Sequence, residues 1–232
     1  MPPKAMKTKS RPALSRERVL EAGLTMVDRS GLAALSMRSL AAELGVEAMS
    51  LYRHVASKEA LVDGMVALIL DEIDVPPAGT PWREAMKRRA LSTRGVFLAH
   101  PAASILMESC ATMTPSRLAY ADAVVGHLLA DGFTAAQAYK AFLTIDSYVF
   151  GFLFQELGWP HPDGTSPSQE AAAGPLVPQD RYPHFAKVMR SVMQAVGRRG
   201  LVAAYAAEFE SGLDLVLDAV DRLRQKRPRA SR

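Results

Sequence analysis

A chain of 232 residues, 49% hydrophobic and 22% charged, is long and apolar enough to bury one large or two modest cores, which excludes a wholly disordered or fibrous protein. Its net charge of +4 is unevenly held: residues 1–58 carry 10 Lys/Arg against 5 Asp/Glu, and 59–232 carry 18 against 19, so the basic excess lies in the first quarter. A single cysteine, Cys110, excludes an intramolecular disulfide and a thiolate metal cluster within one chain, and the longest apolar run, Tyr148 to Phe154, is far too short to span a bilayer. The expectation is a soluble, cytoplasmic protein with no membrane partner.

Residues 1–13 are basic and aperiodic and read as a disordered arm. Ser15 can cap a helix in which Val19, Gly23 and Met26 form one row and Leu20, Leu24 and Val27 the next, with Gly31 ending it. Ser36 caps a second helix with Leu40, Ala41 and Leu44 inward, and Gly45 supplies the permissive backbone where it ends. A third helix follows within a few residues. Leu51 and Val55, four apart, share its inward face, while Met49, Ser50 and Arg53 face outward with Tyr52 and His54 beside them. Ser57 caps a fourth helix carrying Leu61, Val62, Met65, Val66, Ile69 and Ile73, which Pro76-Pro77 and Gly79 stop.

Two helices crossed through a short glycine-containing turn, the second with small, polar and basic groups outward, is the layout of a DNA-reading helix-turn-helix. Lys58 sits in the first turn of the fourth helix, where the positive pole opposes a cation unless a phosphate lies there. The residues expected at double-stranded DNA are Arg38, Ala48, Met49, Ser50, Tyr52, Arg53, His54 and Lys58.

Thr80-Pro81 reads as a cap opening a helix to about Ala99, Pro101 starts a short segment to about Glu108, and Thr114-Pro115 opens a segment ending at Gly132. After Thr134 a helix runs to about Leu157. From Ala138 to Phe154 its only strongly polar side chains are Lys140 and Asp146, so it must be covered on more than one side. Residues 158–183, with six prolines and three glycines, read as a flexible loop. A helix then places Phe185, Val188, Met189 and Val192 on one side. The last helix spaces Phe209, Leu213, Val216, Val220 and Leu223 by 4, 3, 4, 3, a seam for helix packing within or between chains, before a basic tail at 226–232. With the Ala138–Phe154 helix this seam is expected to form a four-helix dimer interface.

No metalloprotease, hydrolase-elbow, P-loop or dinucleotide motif is present, and His100, His127, His161 and His184 show no pair at ligand spacing on one helix face, so no metal, cofactor or enzymatic activity is expected. Asp146 is costly in so apolar a helix unless it lines a cavity, reaches an exposed edge or pairs with Arg89 or Arg94, and these alternatives stand open at the level of sequence.

Residues 14–73 resemble the DNA-binding domain of the tetracycline-repressor (TetR) family through Leu40-Ala41, Leu44-Gly45-Val46, Leu51-Tyr52-Arg53-His54 and Ser57-Lys58. The remainder resembles the tetracycline-repressor branch through Pro81-Trp82, Ala99-His100, Asp131-Gly132-Phe133 and the long apolar helix containing Gly151. The resemblance implies an all-α protein. A three-helix reading domain within 14–75 is joined by the fourth helix to a larger helical ligand-binding and dimerisation domain at 76–225. The implied function is a homodimeric repressor on a palindromic operator, released by a small-molecule effector through a change in the angle of the fourth helix. The alternatives are a constitutive DNA-binding protein and an α-helical enzyme. Laid over the family, the position of the repressor's magnesium-binding histidine falls at about Met107, with pocket positions near Arg89, Thr93, Cys110, Phe142 and Gln155. A thioether is a poor magnesium ligand. With Phe97, Met107, Phe142, Phe150 and Phe154 near the cavity and Arg89, Asp146 or Gln155 to orient it, an apolar or aromatic effector is expected instead of a metal-chelated tetracycline.

Overall fold

The structure is a computed structural model describing residues 13–109, 113–157 and 178–225, all helix and connecting turns. The sequence-predicted arm up to residue 12, most of the 158–183 loop, the 226–232 tail and Cys110 lie outside the described residues.

Helix α1 (Arg16–Ser30) starts where the Ser15 hydroxyl accepts the Arg18 N–H at 3.2 Å, satisfying one of the donors a helix start leaves open. Helix α2 (Met37–Leu44) begins with a reciprocal cap: Ser36 Oγ accepts the Ser39 N–H at 3.0 Å, and Ser39 Oγ accepts the Ser36 N–H at 2.9 Å. It ends on Gly45 in the left-handed region, with Val46 N–H reaching the Ala41 carbonyl at 2.9 Å and Gly45 N–H reaching Ala42 at 3.1 Å. That closing pair turns the chain sharply into α3 (Ala48–Leu51). Helix α4 (Lys58–Glu72) buries Leu61, Val62, Met65, Val66, Ile69 and Leu70. It crosses α1 where both helices are small: a methyl on Gly64 would meet Leu20 Cδ2 at 2.5 Å, and one on Gly23 would meet Met65 Sδ at 2.9 Å.

The larger domain holds α5 (Trp82–Ala99), α6 (Ala103–Ser109), α7 (Pro115–Ala130), α8 (Ala135–Glu156), α9 (Pro183–Arg199) and α10 (Leu201–Gln225). Thr80 does not cap α5 as the sequence suggests: its hydroxyl turns back to the Pro77 carbonyl, and the Trp82 N–H is taken by Asp131 Oδ2 at 2.5 Å, from the end of α7. His127 adds a second tie from α7, with its ring nitrogens 3.2 Å from the Thr80 carbonyl and 2.9 Å from the Pro76 carbonyl, so the connection after α4 is held to α7.

Within the chain the 4-3-4-3 row of α10 packs largely into the core, with Val216 and Leu223 left half-buried. Phe209, Leu213 and Val220 are buried, together with Leu217, in the cluster that also holds α8's Ile145, Val149 and Leu153. Tyr148 reinforces this pairing by donating to the Phe209 carbonyl at 2.8 Å, and a methyl on Gly212 would meet its hydroxyl at 2.3 Å. Apolar groups left outward include Tyr139, Leu143 and Phe154 of α8, Val202 and Leu215 of α10, and Phe185, Val188, Val192 and Met193 of α9. Periodicity located one apolar row on α10 but could not say what covers it.

Candidate DNA interface and effector site

Leu51 is fully buried and Val55 nearly so, which anchors α3 and the turn after it in the core, with α3 packed on α2. The chain leaves α3 with His54 N–H and Val55 N–H both on the Leu51 carbonyl, at 2.8 and 3.0 Å. Outward from this anchor stand Met49, 72% exposed, together with Tyr52 and Arg53, while Ala48, Ser50 and His54 are half-buried at its edges. An exposed thioether beside an exposed aromatic ring and a guanidinium is an apolar and cationic surface that folding of the monomer does not use. Arg38, in the first turn of α2, and Lys58, in the first turn of α4, are also exposed, so basic groups flank the reading residues on both sides. The α4 start already has an acidic partner, because Glu59 lies beside Ser57 and its carboxyl is held below its ordinary range. The bidentate Arg29–Glu43 pair, at 2.9 and 3.1 Å, ties α1 to α2 on the surface.

In the larger domain, Arg89, Thr93 and Phe97 repeat every turn along α5 and are all buried. Opposite them on α8 stand Phe142, Asp146 and Phe150, again one turn apart and half-buried. The central rung is ionic: Arg89 Nη2 lies 2.6 Å from Asp146 Oδ1, and Nη1 donates to the Tyr120 hydroxyl of α7 at 2.9 Å. Burial works against the charge of Arg89, yet Tyr120 and Asp146 outweigh it and hold its pKa above the ordinary value. This resolves Asp146 as an ion-pair partner of Arg89. Arg94 pairs instead with Glu156 and lies over the Phe209 ring at 5.7 Å. Beyond the ionic rung, two turns on along α5 and one along α8, Phe97 and Phe150 meet with ring centroids 5.4 Å apart, and the Thr93 hydroxyl is committed to the Arg89 carbonyl at 2.9 Å. Met107 of α6 is half-buried against the core, and its carbonyl accepts Arg117 Nη2 at 3.2 Å.

Two sequence-predicted residues are not brought to this cluster. Gln155 is exposed and its amide folds back to Gly151 of its own helix, and Phe154 points outward. Both lie on the outward side of α8, whose next residue, Glu156, turns in to Arg94 of α5.

Between the two domains, His100 closes α5. Its Nδ1 lies 2.8 Å from Asp28 of α1 and its Nε2 lies 3.2 Å from Glu72 at the end of α4, while Asp28 also accepts the Ala102 N–H at 3.1 Å. Among the described residues no group of His, Cys, Asp and Glu is arranged to hold a metal ion, this trio included. No helix among them is long and apolar enough to cross a membrane.

Two family models match the chain: residues 19–65 match "Bacterial regulatory proteins, tetR family", and residues 75–223 match "Tetracyclin repressor-like, C-terminal domain". The chain belongs to the TetR family. These are DNA-binding transcriptional regulators, as the resemblance of the reading helices implied. An HTH-type transcriptional regulator of Saccharopolyspora erythraea is 32% identical over 67% of this chain and 66% of its own length. The class A tetracycline repressor of Escherichia coli, from transposon 1721, is 29% identical over 89% of this chain and 90% of its own length. A crystal structure of a possible TetR family transcriptional regulator from Streptomyces coelicolor A3(2) superposes with a TM-score of 0.72 at 29% identity, covering 90% of this chain and all of that one. Coverage of the first curated relatives is partial, 66% of one and 53% of the next.

Within this TetR-family chain, sequence reasoning missed Tyr120, Glu156 and the joint of Asp28, Glu72 and His100. A buried arginine needs more acceptors than one carboxylate, but its burial is not readable from the sequence, so no signal there led to Tyr120. His100 and Asp28 are 72 positions apart, and nothing local to either signals the pairing.

Proposed function

We propose that this TetR-family chain is a repressor that binds a palindromic DNA operator as a homodimer and is released by a small apolar or aromatic effector. The arrangement of α4 carries the reading. The helix packs on α1 of the reading domain and also on α6 and α7 of the larger domain, so a shift of the α5–α8 cluster that moves α6 or α7 changes the tilt of the reading helices. An effector needs only different affinities for the two tilts to change operator binding. Met49, Ser50, Tyr52, Arg53 and His54 would meet base edges and backbone in the major groove, and Arg38 and Lys58 would meet phosphates. The outward apolar groups of α8 and α10, Tyr139, Leu143 and Leu215, support pairing of two chains, since water-exposed leucines at this spacing are covered favourably by a second copy. Arg89, Thr93, Phe97, Met107, Phe142, Asp146 and Phe150 are the proposed effector-lining residues.

The test is to select DNA from a random pool with the purified protein, then to titrate aromatic compounds against the selected duplex. Release by a compound that also raises the melting temperature of the free protein supports the reading. Operator binding unmoved by a broad set of compounds would favour a constitutive DNA-binding protein.

A further inference from the structure

We propose that the effector presents an uncharged carbonyl oxygen to Arg89, so that the site selects planar aromatic ketones over both the parent hydrocarbons and the corresponding carboxylates. This rests on the α5–α8 cluster being the effector site. Arg89 is 2% exposed, and its Nε–H is sealed from solvent with no acceptor among the described residues. Its two other nitrogens are occupied, Nη1 by Tyr120 and Nη2 by Asp146. A donor taken out of water and left unmet carries a desolvation penalty that an arriving acceptor removes.

The charge of that acceptor follows from where Nε lies. Nε and Nη2 share one edge of the guanidinium, the edge a carboxylate ordinarily takes with both oxygens, yet Asp146 is recorded on Nη2 alone. An oxygen at Nε therefore sits directly beside the Asp146 carboxylate. A second carboxylate there would repel Asp146 at close range in a poorly screened interior, and the Arg89–Asp146 pair is already balanced in charge. A carbonyl accepts the same hydrogen bond without that repulsion. Tyr120 adds a further donor, because a hydroxyl that accepts from Arg89 still holds its own proton.

The flanks set the rest of the molecule. Phe142 precedes Asp146 by one turn and Phe150 follows it by one, with Phe97 against Phe150. A polar rung between aromatic rungs suits a flat ring system with an oxygen on its edge.

The test uses matched probes on the full chain: 1-tetralone with tetralin and tetralin-1-carboxylate, and fluorenone with fluorene and fluorene-9-carboxylate, titrated by calorimetry. Each ketone should bind about ten- to a hundredfold tighter than its hydrocarbon, the worth of a hydrogen bond to a charged donor, with the carboxylate no tighter than the hydrocarbon. Tyr120→Phe keeps the Arg89–Asp146 pair and should shrink the ketone preference while leaving hydrocarbon affinity nearly unchanged. Arg89→Lys should do the same if its melting curve shows it folded. A carboxylate that binds tighter than its ketone, or ketones that bind no better than hydrocarbons, overturns the proposal while leaving the apolar effector site standing. If no probe of either set binds, the effector-site reading fails and the proposal with it.

Discussion

Replacing His100 by Gln keeps a hydrogen-bond donor at the joint between the two domains but removes a charge. Both ring nitrogens lie within 3.2 Å of carboxylates, which when ionised can only accept, so the ring in this geometry carries both protons. Burial opposes that charge, but Asp28 and then Glu72 outweigh it, and the pKa is raised above its ordinary 6.5. A group whose folded pKa is raised contributes stability that is fully present below the unfolded value and is lost as pH climbs through the folded one. Two charge-assisted bonds would be worth about 3–6 kcal/mol if fully buried. The ring is 21% exposed and Glu72 49%, so screening and water access reduce this to about 1–2 kcal/mol. For a chain of this length that is about 2–8 °C in melting temperature. Melting curves of wild type and His100→Gln from pH 5.5 to 9 should show the widest gap at and below pH 6.5, narrowing at higher pH. Asp28→Asn should largely remove the pH dependence of that gap. A gap that stays constant, or widens as pH rises, would refute the doubly protonated joint.

At the DNA face, Lys58→Ala should weaken operator binding evenly across sequences and reduce the salt slope by about one unit, while Arg53→Ala should cost about 1–3 kcal/mol and relax one base position. An unchanged salt slope for Lys58→Ala removes it from the interface. Leu215→Lys places a charge on the outward row of α10 and should give a folded monomer with much weaker operator binding; a dimer persisting in sedimentation locates the pairing surface elsewhere. Tetracycline with magnesium should leave Trp82 fluorescence and operator binding unchanged, since Met107 offers no hard ligand at the position the family gives a histidine. Tight magnesium-dependent binding would contradict that alignment.

The reading domain was legible from sequence because its signals are local. Ser15, Ser36 and Ser57 each cap a helix through a bond three residues on, Gly45 adopts the left-handed conformation that its lack of a side chain permits, and Leu51 and Val55 fall inward at the spacing that predicts it. The larger domain was legible in its helices and not in their partners. Thr80 looked like a cap, but Asp131, 49 positions beyond Trp82, supplies one. Phe209, Leu213 and Val220 looked like a seam between chains because a heptad row shows that a helix packs, never against what. Asp146 had two arginines within reach on paper, and the register of α5 against α8 chose Arg89. Tyr120 completes that choice from a third helix, and no spacing rule within one helix points to it.

Selection of DNA from a random pool by the purified protein shows whether two copies of the chain read an operator together. A repressor that reads DNA as a pair enriches a palindrome whose half-sites are centred about one helical turn apart or a multiple of it, retained by wild type and lost by both Arg53→Ala and Leu215→Lys, which alter different surfaces. Enrichment of a single, non-palindromic site, or of no sequence at all while the protein remains folded, would contradict that joint reading.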